Sequence, residues 1–404
     1  MVEKSLDVKL AKITADPNCG EFILADAKDA DMAYGLAAPG MSPECHAQEG
    51  RFRSLEDYRE TIRRVVREGI VDLVFMSPHT NSILTINEGL FEGSPVTPAV
   101  RANDATDMLI GREGTNLTGS LPSFRSTTID NIQCGLAECA EHERGAGANL
   151  GLYSVAFHND AELDRRTIES YRLFHLEAER KGFRHLLEVF DPNAARNPTD
   201  PDHADAFVSD NIMRLLAGVP EQGRPLLLLT AYHGPKFTEA LARYDASLVI
   251  GIMGGLPGTT YDAFKLIAQA QACGARAALF GRRINQAEHQ SSFIAILRRI
   301  VEGDVTPEEG VCAYHSVLQA LNIQPQRPLE EDMRLTIGDI RYGGGGATSS
   351  LPLPERSTTS YNAVSRTLGA ASAGRNQPNL AAMTSAERLA YHRKRLRGLG
   401  TGSS

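Results

Sequence analysis

Short apolar segments alternate along the chain with longer segments in which apolar residues recur at helical spacing. The apolar segments predict β-strands at Glu21–Asp26, Val71–Met76, Val96–Val100, Leu150–Phe157, Arg184–Phe190, Pro225–Tyr232, Leu248–Met253 and Ala277–Phe280. Such alternation is typical of a parallel sheet, because a helix must return the chain to the same edge before each new strand. Eight predicted strands favour a closed (β/α)8 TIM barrel, with an open doubly wound sheet as the alternative.

The segments between the predicted strands have the periodicity of amphipathic helices. In the segment 54–68, Leu55, Tyr58, Ile62 and Val65 recur on one helix face. Further helices are predicted at Thr128–Arg144, Asp160–Lys181, Ala204–Leu216 and within Phe293–Leu321. A polar insertion, Arg101–Ser126, follows the third strand.

Chain length and local composition predict one barrel followed by an extension. The chain has 404 residues, whereas a barrel of this kind needs roughly 250. We therefore assign residues 1–325 to the barrel and 326–404 to a C-terminal extension. The glycine run Gly343–Gly346 and the Ser/Thr/Pro-rich sequence after it predict flexibility. A short basic helix is predicted at Ser385–Leu396; it is interpreted as a solvated or subunit-packing tail, with an acidic partner or RNA as the alternative.

Charge and cysteine usage narrow the class of protein. A net charge of −8 argues against nonspecific nucleic-acid binding. No apolar run approaches the roughly 20 residues of a membrane helix, and the N-terminus lacks a signal-peptide pattern. A cytoplasmic protein without a cofactor is expected, and a homo-oligomer stays open. The 6 cysteines form no CxxC pair and are expected to be free thiols. Cys134 and Cys139 are expected on one helix, without a metal role.

The segment 247–285 carries two glycine-containing loops, each after a predicted strand. Gly254 and Gly255 follow the seventh strand, and Gly281-Arg282 follows the eighth. Glycines let backbone N–H groups approach an oxygen closely, and an arginine supplies a fixed charge. Each glycine alone is explained by turn chemistry, but the tandem arrangement predicts a site for a phosphate or a similar anion.

Many polar residues lie near the ends of the predicted strands, where (β/α)8 barrels carry their active sites. They are Asp26, Lys28, Asp29, Ser77, His79, Arg101, Asn103, Asp104, His158, Asn159, Asp160, Asp191, Tyr232, His233 and Lys236. Asp160 is expected to cap the long helix that follows it. Glu188 lies inside the apolar strand LLEVF, where an unpaired carboxylate is costly. A lysine, an arginine or a metal is therefore expected beside Glu188.

Several motifs together carry a resemblance to a known family. They are ADAKDADMA, IVDLVFMSP, HLLEVF, GIMGGLPGTTYDAF and ALFGRRIN, in this order along the chain. From about Ala25 to Leu321 the chain resembles the class I aldolase superfamily of deoxyribose-phosphate, archaeal-type fructose-bisphosphate and tagatose-1,6-bisphosphate aldolases. In that family the fifth strand carries a catalytic glutamate, which corresponds to Glu188.

The resemblance implies a lyase of carbohydrate metabolism that acts on a phosphorylated ketose or a related carbonyl compound. In such enzymes a lysine forms a Schiff base with the ketose, and a carboxylate moves protons. It implies that Glu188 transfers protons, with Asp26 near the reacting carbons. Arg101 would orient a second anionic group, and the glycine loops with Arg282 would bind the phosphate.

The chain departs from the family at the Schiff-base lysine. That lysine belongs on the sixth strand, where this sequence has Leu229. Lys236, beyond the strand, and Lys28, after the first strand, are the candidate replacements; Lys28 is alternatively a partner of Glu188.

Two alternatives to imine chemistry stay open. The first is a metal-assisted aldolase or epimerase with ligands drawn from Asp26, Asp104, His158, Glu188 and His233. The second is a noncatalytic sugar-phosphate-binding protein with an aldolase fold.

Overall fold

A computed structural model describes residues 2–40, 52–104, 122–191, 201–255 and 258–336. By its contacts the chain divides into two units, Met1–Ser350 and Leu351–Ser404. The second unit, which contains the predicted basic helix, lies outside the described residues, as do the glycine run before it and most of the polar insertion.

Eight parallel strands close into a barrel in chain order, so that β1 pairs with both β2 and β8. The strands are β1 (Ile23–Lys28), β2 (Leu73–Met76), β3 (Thr97–Arg101), β4 (Leu150–Ala156), β5 (Arg184–Phe190), β6 (Leu228–Thr230), β7 (Ile250–Met253) and β8 (Ala277–Phe280). The predicted (β/α)8 barrel is confirmed, and the open doubly wound sheet was wrong.

Helices surround the barrel and connect its strands. They are α1 (Ser5–Ala15), α2 (Ala30–Tyr34), α3 (Leu55–Glu68), α4 (Pro78–Asn81), α5 (Ile129–Cys134), α6 (Ala161–Arg180), α7 (Pro201–Ala217), α8 (Pro235–Tyr244), α9 (Thr260–Ala272), α10 (Arg282–Gln286), α11 (Gln290–Val301), α12 (Pro307–Ala320) and α13 (Leu329–Asp332). A π-helical segment, Ser82–Asn87, extends α4. No helix among the described residues is long and apolar enough to span a membrane.

Side chains alternate between the barrel interior and the layer between strands and helices. In β1, Ala25 packs with Leu73 and Leu229 inside the barrel, whereas Leu24 packs with the surrounding helices. This is the two-residue period of a strand. Helix α1 contributes Leu6 to the interior cluster. Residue parity therefore decides which polar groups at the strand ends face the mouth of the barrel.

Helix α5 is shorter than the predicted helix Thr128–Arg144. Gly135 has a left-handed backbone with φ of 79° and ends α5 at Cys134. Glycine adopts this conformation without steric cost, so it commonly terminates helices. The expectation that Cys134 and Cys139 share a helix was wrong.

Candidate active site

The carboxylate of Glu188 lies inside the barrel at the carboxyl end of β5. Glu188 is 4% exposed. The Ser154 hydroxyl, on the neighbouring strand β4, donates a hydrogen bond of 2.7 Å to Glu188 Oε2. An Arg101 Nη donates to the same oxygen at 3.3 Å. The cation expected beside Glu188 is thus an arginine from β3.

Arg101 links two carboxylates that come from opposite sides of the mouth. Its Nε donates to Asp29, which follows β1, and another nitrogen donates to the Ser154 hydroxyl at 2.6 Å. Arg101 is 3% exposed and Asp29 4%. The four side chains Asp29, Arg101, Ser154 and Glu188 form one buried hydrogen-bonded group, which we call the mouth network.

Burial and charge act against each other on the pKa values in the mouth network. Burial raises the pKa of Glu188, while Arg101 and the Ser154 hydroxyl oppose this shift. Burial alone would lower the pKa of Arg101, but Asp29 and Glu188 outweigh it, so the net shift is upward. Arg101 is therefore a permanent cation, whereas the pKa of Glu188 stays raised despite its cationic neighbour.

Backbone contacts of Ser154 fix the position of its hydroxyl. The Asn103 side-chain amide accepts from the Ser154 N–H and donates to the Ser154 carbonyl, both at 2.7 Å. The Ser123 hydroxyl donates to the same carbonyl at 3.0 Å. Sequence reasoning missed Ser154; alternation along β4 places it on the inner face, which was the only available signal.

Leu229 lies beside Glu188 in the barrel interior. The two residues are register partners on β5 and β6. Leu229 is 1% exposed and packs into the interior cluster. The Leu229 side chain also leaves no room for a side chain at Gly251 on β7, because an added Cβ would lie 2.6 Å from Leu229 Cδ2. An apolar contact thus fills this part of the barrel.

Asp26 and Lys28 lie on the outer face of β1, away from Glu188. They share the parity of Leu24, which packs against the helices, while Ala25 and Ala27 face inward. The Lys28 ammonium is 3.3 Å from Asp26, and both side chains are fully buried. The expected pairing of Lys28 with Glu188 was wrong, and the structure does not place Asp26 at the mouth.

Side chains of the helix layer complete the surroundings of Lys28. Its Nζ donates to Asn285 in α10 and, at 3.0 Å, to Gln290 in α11. Burial lowers the pKa of Lys28 and raises that of Asp26, and in each case the partner opposes the shift. This buried pair ties β1 to the two helices.

The other candidate lysine is exposed. Lys236 lies in the first turn of α8, with its ammonium 5.1 Å from the centre of the Phe237 ring. Across the described ranges, no lysine is bonded to a member of the mouth network. The structure thus does not bring Lys28 or Lys236 to Glu188.

His233 forms a second charged group near the carboxyl end of β6. Its Nε2 is 2.9 Å from Asp191 and its Nδ1 is 2.6 Å from Asp205, and all three are largely buried. Burial alone would lower the pKa of His233, but the two carboxylates outweigh it and raise the pKa to about 10. His233 therefore carries a positive charge at neutral pH.

The five residues considered as metal ligands do not form a common site. Asp26 is on the outer face of β1, Asp104 accepts from Ser126 at 2.5 Å, and the His158 ring lies 3.7 Å from Asp164. Within the part of the chain that the structure describes, no group of three or more potential ligands lies at the mouth. Asp160 caps α6 as expected, accepting from Glu162 and Leu163 N–H groups.

The glycines of the predicted anion site allow strands to approach closely. A Cβ at Gly254 would lie 2.6 Å from the Phe280 ring, and one at Gly281 would lie 3.0 Å from Ala27. Gly255 has a φ of 70°, which favours glycine. Arg282 donates to the Gly255 carbonyl at 3.3 Å, so the two loops meet. The structure brings the four predicted anion-site residues together at one side of the barrel.

Two carboxylates accept backbone N–H groups at the N-terminus of α9. Thr259 caps the helix, and Asp262 accepts the Thr259 N–H at 2.8 Å. Asp332, from α13, accepts the Thr260 N–H at 2.7 Å. A ligand phosphate is therefore expected at the loops around Gly255 and Arg282 rather than at this helix end.

Comparisons with known proteins agree with the fold. No protein-family model matches the chain, and no curated protein matches it. Solved structures do match. An archaeal fructose 1,6-bisphosphate aldolase is 18% identical with a TM-score of 0.50, over 74% of this chain and 100% of its own. A Schiff-base-forming fructose-1,6-bisphosphate aldolase is 17% identical with a TM-score of 0.51, over 74% and 100%.

A third aldolase structure extends the likeness. The fructose-bisphosphate aldolase from Slackia heliotrinireducens is 12% identical with a TM-score of 0.53, over 78% of this chain and 91% of its own. Identities this low show the fold alone. The chain therefore has the barrel fold of these fructose-bisphosphate aldolases, as its motifs indicated.

Proposed function

We propose that this chain is an aldolase-like lyase that acts on a phosphorylated ketose or a related carbonyl compound without a lysine imine. The observation that carries the proposal is Glu188, a buried carboxyl group at the mouth of an aldolase-type barrel, held by Arg101 and Ser154. Leu229 beside it supports a route in which no imine forms.

The proposed reaction divides the work between Glu188 and Arg101. Glu188 removes the proton of the hydroxyl group β to the carbonyl, and the carbon–carbon bond breaks to give an aldehyde and an enolate. Arg101 stabilises the negative charge on the enolate oxygen. Glu188 then returns the proton to the enolate carbon, so that atoms and charge balance. A carboxyl group with a raised pKa suits both proton transfers.

Phosphate recognition is assigned to Gly254, Gly255, Gly281 and Arg282. The fructose-bisphosphate aldolases with this fold act on a phosphorylated sugar. In this chain the two glycine-containing loops meet through the hydrogen bond from Arg282 to the Gly255 carbonyl. Holding the phosphate there would fix the carbonyl end of the ligand relative to Glu188, which lowers the entropic cost of reaction.

A panel of ketose phosphates tests the lyase. We expect cleavage of at least one, measured by coupled detection of the aldehyde product. We expect the enzyme to keep its activity after treatment with substrate and borohydride and removal of both, because no imine forms. Inactivation with a trapped lysine adduct would contradict the imine-free route. Loss of activity with EDTA and its return with a divalent ion would support a metal-assisted reaction instead.

A noncatalytic sugar-phosphate-binding protein is the second candidate, and Leu229 favours it too. A barrel that lost the nucleophile keeps the anion site but loses imine formation. Phosphate-ligand binding without turnover of any ketose phosphate would support this candidate over the lyase.

Arg282→Ala is expected to weaken binding of a phosphorylated ligand by about tenfold or more. A charge-assisted hydrogen bond contributes roughly 1.5–3 kcal/mol, which corresponds to such a change. Calorimetric titration with a ketose phosphate measures it. Arg276→Ala is the matched control, because Arg276 bonds to the Pro17 carbonyl before β8 begins. Equal affinities of Arg282→Ala and the wild type would remove the anion site.

A further inference from the structure

Two cysteines and a glutamate outside the candidate active site bring their ligand atoms together. The Sγ atoms of Cys134 and Cys139 and a carboxylate oxygen of Glu143 all lie within 4.8 Å of one another. Across the described ranges, this is the only group of three or more His, Cys, Asp or Glu side chains with such spacing. The proposed function does not use it.

The local fold holds the three residues in place. Gly135 turns the chain at the end of α5, and the Asn131 side chain donates to the Leu136 carbonyl at 2.8 Å. A short 3₁₀ turn, Glu141–Glu143, follows. There the Glu143 carboxylate accepts the Ala140 N–H at 2.9 Å, which leaves lone pairs for a further partner. These hydrogen bonds hold the turn that brings Cys139 and Glu143 back beside Cys134.

The donor set has the chemistry of a zinc site. Thiolate ligands select soft or borderline metals such as zinc over magnesium and calcium. Four residues separate the cysteines, which falls within the usual spacing of zinc-binding pairs. Zinc–sulfur distances of about 2.3 Å and zinc–oxygen distances of about 2.1 Å require only a small contraction of the group. A water molecule would complete a tetrahedron.

We infer that Cys134, Cys139 and Glu143 bind a structural zinc ion that ties the end of α5 to the loop before β4. Cys134 is 9% exposed, and the other two are half-buried, so an ion can enter. The loop precedes Leu150, at the amino end of β4, whereas Glu188 lies toward the carboxyl end of β5. In such barrels the amino-terminal face serves stability rather than catalysis.

Zinc titration of the reduced, metal-free, tag-free full chain tests the inference. We expect one zinc per chain by elemental analysis and a melting temperature that rises with zinc, because the ion binds the folded state. Cobalt should give a sulfur-to-metal charge-transfer band. Cys134→Ser and Cys139→Ser should each lower affinity at least about tenfold and weaken that band, because one of the two thiolate ligands is lost. Cys312→Ser, which removes an exposed thiol in α12, is the matched control and should behave as the wild type.

A Glu143 variant and three negative results complete the test. Glu143→Gln keeps both thiols and should weaken zinc binding while the circular dichroism spectrum stays native. That variant separates loss of a ligand from loss of the fold. The inference is overturned if the reduced wild type binds no zinc, or if the Cys134→Ser and Cys139→Ser variants bind it as tightly as the wild type. Formation of a disulfide with no zinc uptake after reduction would also overturn it.

Discussion

Glu188→Gln is expected to lower kcat for the cleaved ketose phosphate by about 10²–10⁴-fold, the usual contribution of a general acid–base group. The amide keeps the size of the side chain and can still accept from Ser154 and Arg101, but it cannot carry the proton. Steady-state kinetics and ligand titration on the same preparation measure the effect. Ligand affinity is expected to change much less than kcat.

The matched control for this experiment is Glu169→Gln. Glu169 lies on the exposed face of α6, paired with Arg165. Its replacement should leave kcat and the melting temperature near those of the wild type, because exposed ion pairs contribute little. Retained turnover in Glu188→Gln would remove Glu188 from the mechanism while leaving the anion site intact.

Arg101→Met is expected to destabilise the protein by about 3–5 kcal/mol, the range for breaking a buried ion pair by removing one partner. The methionine fills similar space but leaves Asp29 and Glu188 buried without their cation. Denaturant unfolding at neutral pH measures the loss. Activity should fall as well, because Arg101 is assigned to stabilise the enolate.

The pH dependence of this variant follows from the raised pKa of Glu188. A carboxyl group whose folded pKa lies above its unfolded value contributes stability that is fully present below the unfolded pKa and is lost as the pH rises through the folded pKa. Removing Arg101 removes an opposing interaction, so the defect should shrink as the pH falls toward mildly acidic values. A defect independent of pH would contradict this.

A double variant distinguishes loss of the ion pair between Arg101 and Glu188 from loss of side-chain packing. Arg101→Met combined with Glu188→Met removes one carboxylate together with its cation, and it should recover part of the lost free energy of unfolding. Residues in one network show coupling energies of about 0.5–3 kcal/mol. Strictly additive effects would mean that the two side chains do not interact energetically.

The amino-acid pattern was sufficient for the barrel but not for the faces of its strands. Parallel strands in such barrels are buried on both sides, so their sequences lack a clear alternation of apolar and polar residues. In EFILADAKD, Asp26, Lys28 and Asp29 all read as strand-end groups. The register of β1 with β2 and β8 puts Asp26 and Lys28 behind the barrel wall and leaves Asp29 to meet Arg101.

For Glu188 the sequence predicted more than it did for β1, because it required a partner beside the carboxylate. A carboxylate within an apolar strand must be paired wherever it lies, so the sequence alone predicted a partner. It did not tell which one, because the lysine of β1 and the arginine of β3 were both available at strand ends. Only closure of the barrel selected Arg101, and only β4 supplied Ser154.

The strand order, the two glycine-containing loops, the buried glutamate and the leucine at position 229 could thus be predicted from the sequence, because they depend on local composition and spacing. The composition of the mouth network and the meeting of Cys134, Cys139 and Glu143 were decided by the tertiary structure. Contacts between distant residues depend on strand register and on where helices end. Gly135 ends α5 and so decides which residues meet Cys134. A shift of one residue along β1 would exchange the side chains that face the barrel interior with those that face the helices.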